Sequence, residues 1–191
     1  MEKIYLALVD TPGLFASIIR KNTGISYVHV VIGLDCNLEQ AYSFGRRNPF
    51  VPLIAGFERE ELPVICRAFP TARYKVMSLD CTLQQKKSME AQLGELYHNR
   101  FKYHYCVLGL PFLLLQIPFY QKRHYTCSSF IARLLSENGI KLLHKHFSLV
   151  TPRDFYELTQ TKTLYEGSLE NFLHQGGCTY ESARWENLYE S

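Results

Sequence analysis

The sequence has no Cys-x-x-Cys pair, no internal repeat, no low-complexity stretch and no marked excess of either charge. Its six cysteines, at positions 36, 66, 81, 106, 127 and 178, form no regular framework. They read as reduced thiols rather than as a disulfide scaffold. The opening run MEKIYLALVDTPG lacks a basic leader, a long apolar stretch and a small-residue cleavage site, so no signal peptide and a cytoplasmic location are expected. The longest apolar run, Val107 to Phe119, carries two prolines and Gln116 and stops short of the ~20 residues that a membrane-spanning helix needs. The net charge of +3 comes from scattered Lys and Arg, which speaks against nucleic acid as the main partner, because phosphate binding needs a clustered basic face.

What is present describes one globular domain. The length of 191 residues is enough to bury a core without staples, and 47% hydrophobic with 20% charged residues is ordinary for a folded chain. Thirteen Tyr and twelve Phe predict an aromatic core and cleft. Lys3 to Val9 alternates as a strand. Thr11-Pro12 opens a helix with Leu14, Phe15, Ile18 and Ile19 on one face. Ser26 to Leu34 is a β-branched and aromatic strand, Asp35-Cys36-Asn37 a turn, and Glu39 to Phe44 the return strand of a hairpin. Gly45 to Phe57, with Pro49 and Pro52, reads as a loop. Val64–Phe69 and Tyr74–Leu79 read as strands, and Phe101 to Cys106 as extended. Leu83 to Asn99 is a surface helix with Met89, Leu93 and Leu96 inward. Cys127 to Glu137 is the clearest helix, with Thr126 as its cap, Phe130, Ile131, Leu134 and Leu135 as its apolar face, and Asn138-Gly139 as its end. A short helix follows Thr151-Pro152. The apolar run at 107–119 reads as a core helix, with a greasy wall or membrane-facing lid as the alternative. The mixture of strands and helices around an antiparallel hairpin is the α+β class.

Chemistry concentrates at Cys127. A thiol in the first turn of a helix meets unpaired N–H groups and the positive end of the helix dipole, and both favour the thiolate. The same N–H groups can serve an oxyanion. A thiolate nucleophile needs an imidazole nearby, and His29 lies inside an otherwise apolar strand, where a lone polar group is costly unless it is satisfied. The return strand offers Ser43 as the third member that would orient the ring, with Tyr42 or Gln40 as alternatives. Counting out from the turn places Phe44 roughly opposite His29. His104 and His124 are rival bases, and His98 reads as a solvated helix face. His144 and His146 have no acid or cysteine cluster beside them, and no metal or cofactor is expected. Cys36 and Cys106 lack a helix start. Arg46-Arg47 reads as a solvated loop or a contact for an anionic substrate group.

The run HYTCSSFIARLLSENGI resembles the nucleophile helix of circularly permuted papain-like hydrolases, the bacterial YiiX-like relatives of NlpC-type peptidases. Ser26-Tyr27-Val28-His29 is similar to their Ser-x-x-His strand, and Thr151-Pro152-x-Asp154-Phe155 to their Thr-Pro-x-Asp-Leu segment. Here Tyr103-His104 stands where a Tyr-Asp pair is common before the nucleophile helix. The resemblance implies a permuted papain-like fold, an antiparallel sheet packed on the helix of Cys127. It implies a catalytic domain over residues 1–160, with 161–191 as an extension packed on the same domain. The implied activity is a thiol hydrolase acting on peptide or peptidoglycan-type amides through Cys127, His29 and an acyl-enzyme. The lecithin retinol acyltransferase-like branch implies lipid esters or thioesters instead, and a non-catalytic binding module is the third reading. Tyr125 and Tyr103 are candidate substrate contacts. The implied partner is a small-molecule, peptide or lipid substrate, with peripheral membrane contact as a further option.

Overall fold

The computed structural model describes residues 1–12, 17, 20–21, 24–48 and 51–178. Leu14, Phe15, Ile18 and Ile19, the apolar face of the helix expected after Thr11-Pro12, lie outside the described residues. The chain forms β1 (Glu2–Asp10), β2 (His29–Gly33), β3 (Ala41–Asn48), β4 (Val51–Arg59), α1 (Leu62–Ala68), β5 (Arg73–Cys81) and α2 (Leu83–His98). It continues through β6 (His104–Tyr105), α3 (Gly109–Leu114), β7 (His124–Tyr125), α4 (Cys127–Glu137), α5 (Pro152–Tyr156), β8 (Lys162–Ser168) and α6 (Leu169–His174). The strands make one sheet in the order β7-β6-β4-β3-β2-β1-β5-β8. The class is α+β.

Alternation along the central strands gives the sheet two apolar faces. Leu6 and Leu8 of β1, Val30 and Ile32 of β2, and Phe44 and Phe57 of β3 and β4 meet α2 and α4 on one side. Ala7, Val9, Val31, Ala41, Tyr74 and Val76 meet Leu62 of α1 and Leu169 and Phe172 of α6 on the other. The period of two in a strand is what sends neighbouring residues into different cores. β8 extends the sheet beyond β5 through pairs such as Tyr74↔Gly167, so residues 162–168 belong to the main sheet.

Five expectations change. Gly45 to Phe57 is not a loop: β3 runs on to Asn48 and β4 returns from Val51, with Phe44↔Phe57 and Asn48↔Val51 paired. Pro52 sits in the second position of β4, where a missing N–H costs little. Val64–Phe69 is not a strand but part of α1, which Pro63 starts from the N1/N2 position, where a proline N–H would have had no helical partner anyway. The segment from Phe101 holds a 3-10 turn, Arg100–Lys102, before the two-residue β6. The sheet is mixed rather than wholly antiparallel, because β6 and β7 pair in parallel at His104↔His124. A parallel pair needs a crossover between its strands, and the apolar run 107–119 forms it. That run is no core helix: α3 has only six residues, and Leu108, Leu114 and Leu115 are exposed. Among the described residues no helix is long and apolar enough to cross a membrane.

Candidate active site

Cys127 opens α4. Thr126 caps the helix, its hydroxyl accepting from Ser129 N–H at 3.2 Å while Ser129 Oγ accepts from Thr126 N–H at 2.9 Å. At the other end Gly139, at φ +76°, takes the left-handed conformation. Gly139 N–H donates to Ser136 at 3.0 Å and Ile140 N–H to Leu135 at 2.8 Å, the paired bonds of a Schellman cap. Phe130, Ile131, Leu134 and Leu135 are buried against the sheet, each worth about 1.5–3 kcal/mol of docking. The helix start is therefore fixed, and the Cys127 sulfur with it.

The sulfur accepts from two backbone N–H groups, those of Ser128 in its own helix and Val30 in β2. The β2–β3 ladder pairs Gly33↔Ala41 and Ile32↔Tyr42 and goes no further. Val30, two residues on, turns its N–H to the sulfur. Continuing the register sets His29 beside Gly45, one residue past the Phe44 expected from sequence. A Cβ on Gly45 would stand 3.1 Å from His29 Cε1 and 3.3 Å from Ser43 Oγ, so the missing side chain leaves room for the ring.

His29 Nε2 is 3.1 Å from Ser43 Oγ and 3.2 Å from Glu60 Oε1. The Ser43 hydroxyl donates to the same Glu60 oxygen in a short bond. Glu60 follows β4 directly, and its own N–H donates to Ala41 C=O at 2.8 Å. With Nε2 turned to Ser43 and Glu60, the Cys127 sulfur is close enough to the ring to favour its protonated form.

Burial works against charge at all three groups, lowering the His29 value and raising those of Cys127 and Glu60. Their contacts overcome it. The Cys127 sulfur and the Glu60 carboxylate carry His29 up to about 10. The imidazole beside Cys127, with the two N–H donors, holds the thiol below its ordinary value. His29 and Ser43 together hold Glu60 below the usual carboxylate range. The favoured state is thiolate, imidazolium and carboxylate in a row.

Of the candidates for the third position, Ser43 touches the ring. Tyr42, its neighbour on β3, points to the opposite face and stacks on Phe57 with centroids 5.8 Å apart. Gln40 is in the turn, where its N–H donates to Asp35 at 2.7 Å. Tyr125 is buried in the aromatic core, its hydroxyl bonded to Tyr120 and Arg133. Tyr103 packs edge-on against Phe44. The tyrosine that senses Cys127 is Tyr105: burial and the sulfurs of Cys127 and Cys106 push its phenol well up, so it remains an O–H donor. His104 and His124 pair with each other at the sheet edge, ring centroids 5.3 Å apart. Arg47 is neither solvated nor poised for a substrate anion. It bonds Glu58 at 3.3 Å and donates to the carbonyls of Arg100 and Tyr103, and Arg46 lies over Phe69. Among the described residues no group of three or more His, Cys, Asp or Glu could hold a metal ion.

Sequence reasoning missed Glu60 and Tyr105. Glu60 directly follows β4, a strand that Pro49 and Pro52 make look like a loop in the sequence. No family model, curated protein or solved structure matches the chain.

Proposed function

We propose that the protein is a cysteine hydrolase of permuted papain-like architecture that cleaves an amide bond through an acyl-enzyme. One observation carries this reading: His29 meets both the Cys127 sulfur and, at 3.2 Å, Glu60. Nucleophile, base and orienting carboxylate in series are the parts of a thiol acyl-transfer site.

In the proposed reaction the Cys127 thiolate attacks the carbonyl carbon, a C–S bond forms, and the carbonyl oxygen takes the charge. Backbone N–H groups at the start of α4 and the Tyr105 O–H are the candidate donors to that oxygen. The C–N bond then breaks as the His29 imidazolium gives its proton to the departing amine. Neutral His29 next takes a proton from water, which attacks the thioester carbon. The C–S bond breaks and the thiolate returns. Glu60 holds the ring in place and stabilises its positive form, with Ser43 bridging the two.

A lipid ester or thioester is the second substrate reading, favoured by the exposed apolar segment that starts two residues after Tyr105. A panel of peptide, ester and thioester substrates, read by turnover and by intact mass for an acyl adduct, tests both. Turnover or an adduct in wild type, lost in Cys127→Ser and His29→Ala, supports the hydrolase. No turnover and no adduct with any activated ester, in a protein whose fold is intact, makes it a binding module.

A further inference from the structure

The crossover between β6 and β7 leaves the sheet after Tyr105 and returns at His124. It is a folded hairpin: Phe112 and Phe119 stack at 4.6 Å, and Phe119 N–H donates to Ser148 Oγ at 3.2 Å. Gln116, at φ +57°, turns the chain after α3. In this arrangement Val107, Leu108, Phe112, Leu114, Leu115 and Ile117 face outward, with Leu108 66% and Leu115 69% exposed. Apolar side chains clustered this densely on a surface mark a place where something else binds.

The surrounding charge indicates what that is. Between Glu95 and Glu137 the chain has no acidic residue and five basic ones, Arg100, Lys102, Lys122, Arg123 and Arg133. Arg100 is paired with Glu58 and Arg133 with Glu137. Lys102, Lys122 and Arg123 are exposed, and His104 N–H donating to the Arg123 carbonyl at 3.0 Å brings the two ends of the hairpin together. The result is an apolar tip above a collar of positive charge. That is the layout of an interfacial segment, with apolar side chains in the acyl boundary and Lys and Arg at the level of anionic headgroups. A second protein would have to answer the collar with carboxylates; an anionic bilayer supplies both layers at once.

We propose that the 107–123 hairpin docks this protein on an anionic membrane surface. Docking does not depend on the thiol chemistry, although it would hold Cys127, four residues after Arg123, close to the interface.

The test is co-sedimentation of the full chain with phosphatidylcholine vesicles and with vesicles containing phosphatidylglycerol. Binding is expected to the second and to weaken as salt rises. Leu114→Gln with Leu115→Gln should abolish it, and Lys122→Gln with Arg123→Gln should weaken it by roughly tenfold or more, all with unchanged melting temperature. Cys127→Ser should bind as wild type does, which separates this result from any failure of the hydrolase reading. Absence of binding to both vesicles would overturn the proposal, as would binding that the leucine pair leaves intact. So would a wild-type dimer that the leucine variant turns into a monomer, because the tip would then be a protein interface.

Discussion

Glu60 Oε1 lies 3.2 Å from His29 Nε2, across a strand that belongs to neither residue. His29 begins β2, Glu60 follows β4, and β3 between them contributes the Ser43 hydroxyl bonded to both. Three consecutive strands of the sheet thus hold one ring nitrogen, and the helix start of α4 supplies the sulfur beside the ring.

The thiolate should show itself by its reactivity. Under limiting iodoacetamide at neutral pH, Cys127 should be alkylated well ahead of the other five cysteines. Burial pushes the thiols of Cys36, Cys81 and Cys106 up, whereas the imidazole lowers that of Cys127. Peptide mapping of the first adduct decides, and labelling led by Cys36 would remove Cys127 as nucleophile.

Glu60→Gln keeps the shape of the side chain and removes its charge. On the proposed mechanism kcat/KM should fall by about tenfold or more, and the thiolate should titrate at higher pH by its ultraviolet absorbance, because the imidazolium loses a stabilising partner. Ser43→Ala should cost less, since Nε2 keeps Glu60. Equal losses in both variants, with no change in thiolate titration, would show that Glu60 only shapes the strand end.

Tyr105→Phe removes one O–H and little else. If that O–H serves the oxyanion, kcat should drop by about 10²–10³-fold with KM little changed, and the melting temperature should stay within a few degrees. A change confined to KM would make Tyr105 a substrate contact instead.

Stability should depend on pH in a way that two linked protons dictate. His29, raised from 6.5 to about 10, contributes in full below pH 6.5 and loses that contribution as pH rises through about 10. Cys127, lowered from 9.0, contributes above that pH and loses its contribution as pH falls through its folded value. Up to pH 9, from the higher of pH 6.5 and the folded Cys127 value, these slopes cancel, because the unfolded chain carries its proton on sulfur and the folded chain on imidazole. Urea unfolding of wild type against the Cys127→Ser, His29→Ala double variant should therefore give a flat difference across that window. The difference should shrink above it, as pH rises through about 10. A difference that grows above pH 9 would contradict the ion pair.

Local signals in the sequence carried some of this arrangement and not the rest. The bounds of α4 follow from Thr126, the spacing of Phe130, Ile131, Leu134 and Leu135, and Gly139, all within one stretch of chain. His29 stood out because a polar group in an apolar strand needs a partner. Its partner Glu60 did not, because β4 is held by pairing to β3 and Pro52 at its start resembles a loop proline. Val64, Ile65 and Phe69 favour a strand, and only Pro63 pointed to a helix. Tyr105 owes its place to a parallel pairing of two residues on each side, too short to leave any periodicity.

The early stop of the β2–β3 ladder makes the sulfur a gauge of how the two layers fit. Val30 spends its N–H on an atom from the helix layer rather than on β3, so the reactive pair exists only while α4 is seated on the sheet. A fluctuation that lifts the start of α4 by an ångström or two would leave most of the hydrophobic core in place. It would still separate sulfur from imidazole and return the thiol to its ordinary acidity. Alkylation of Cys127 would then slow on local undocking of one helix, without global unfolding, and would sense strain in the core well before the protein melts.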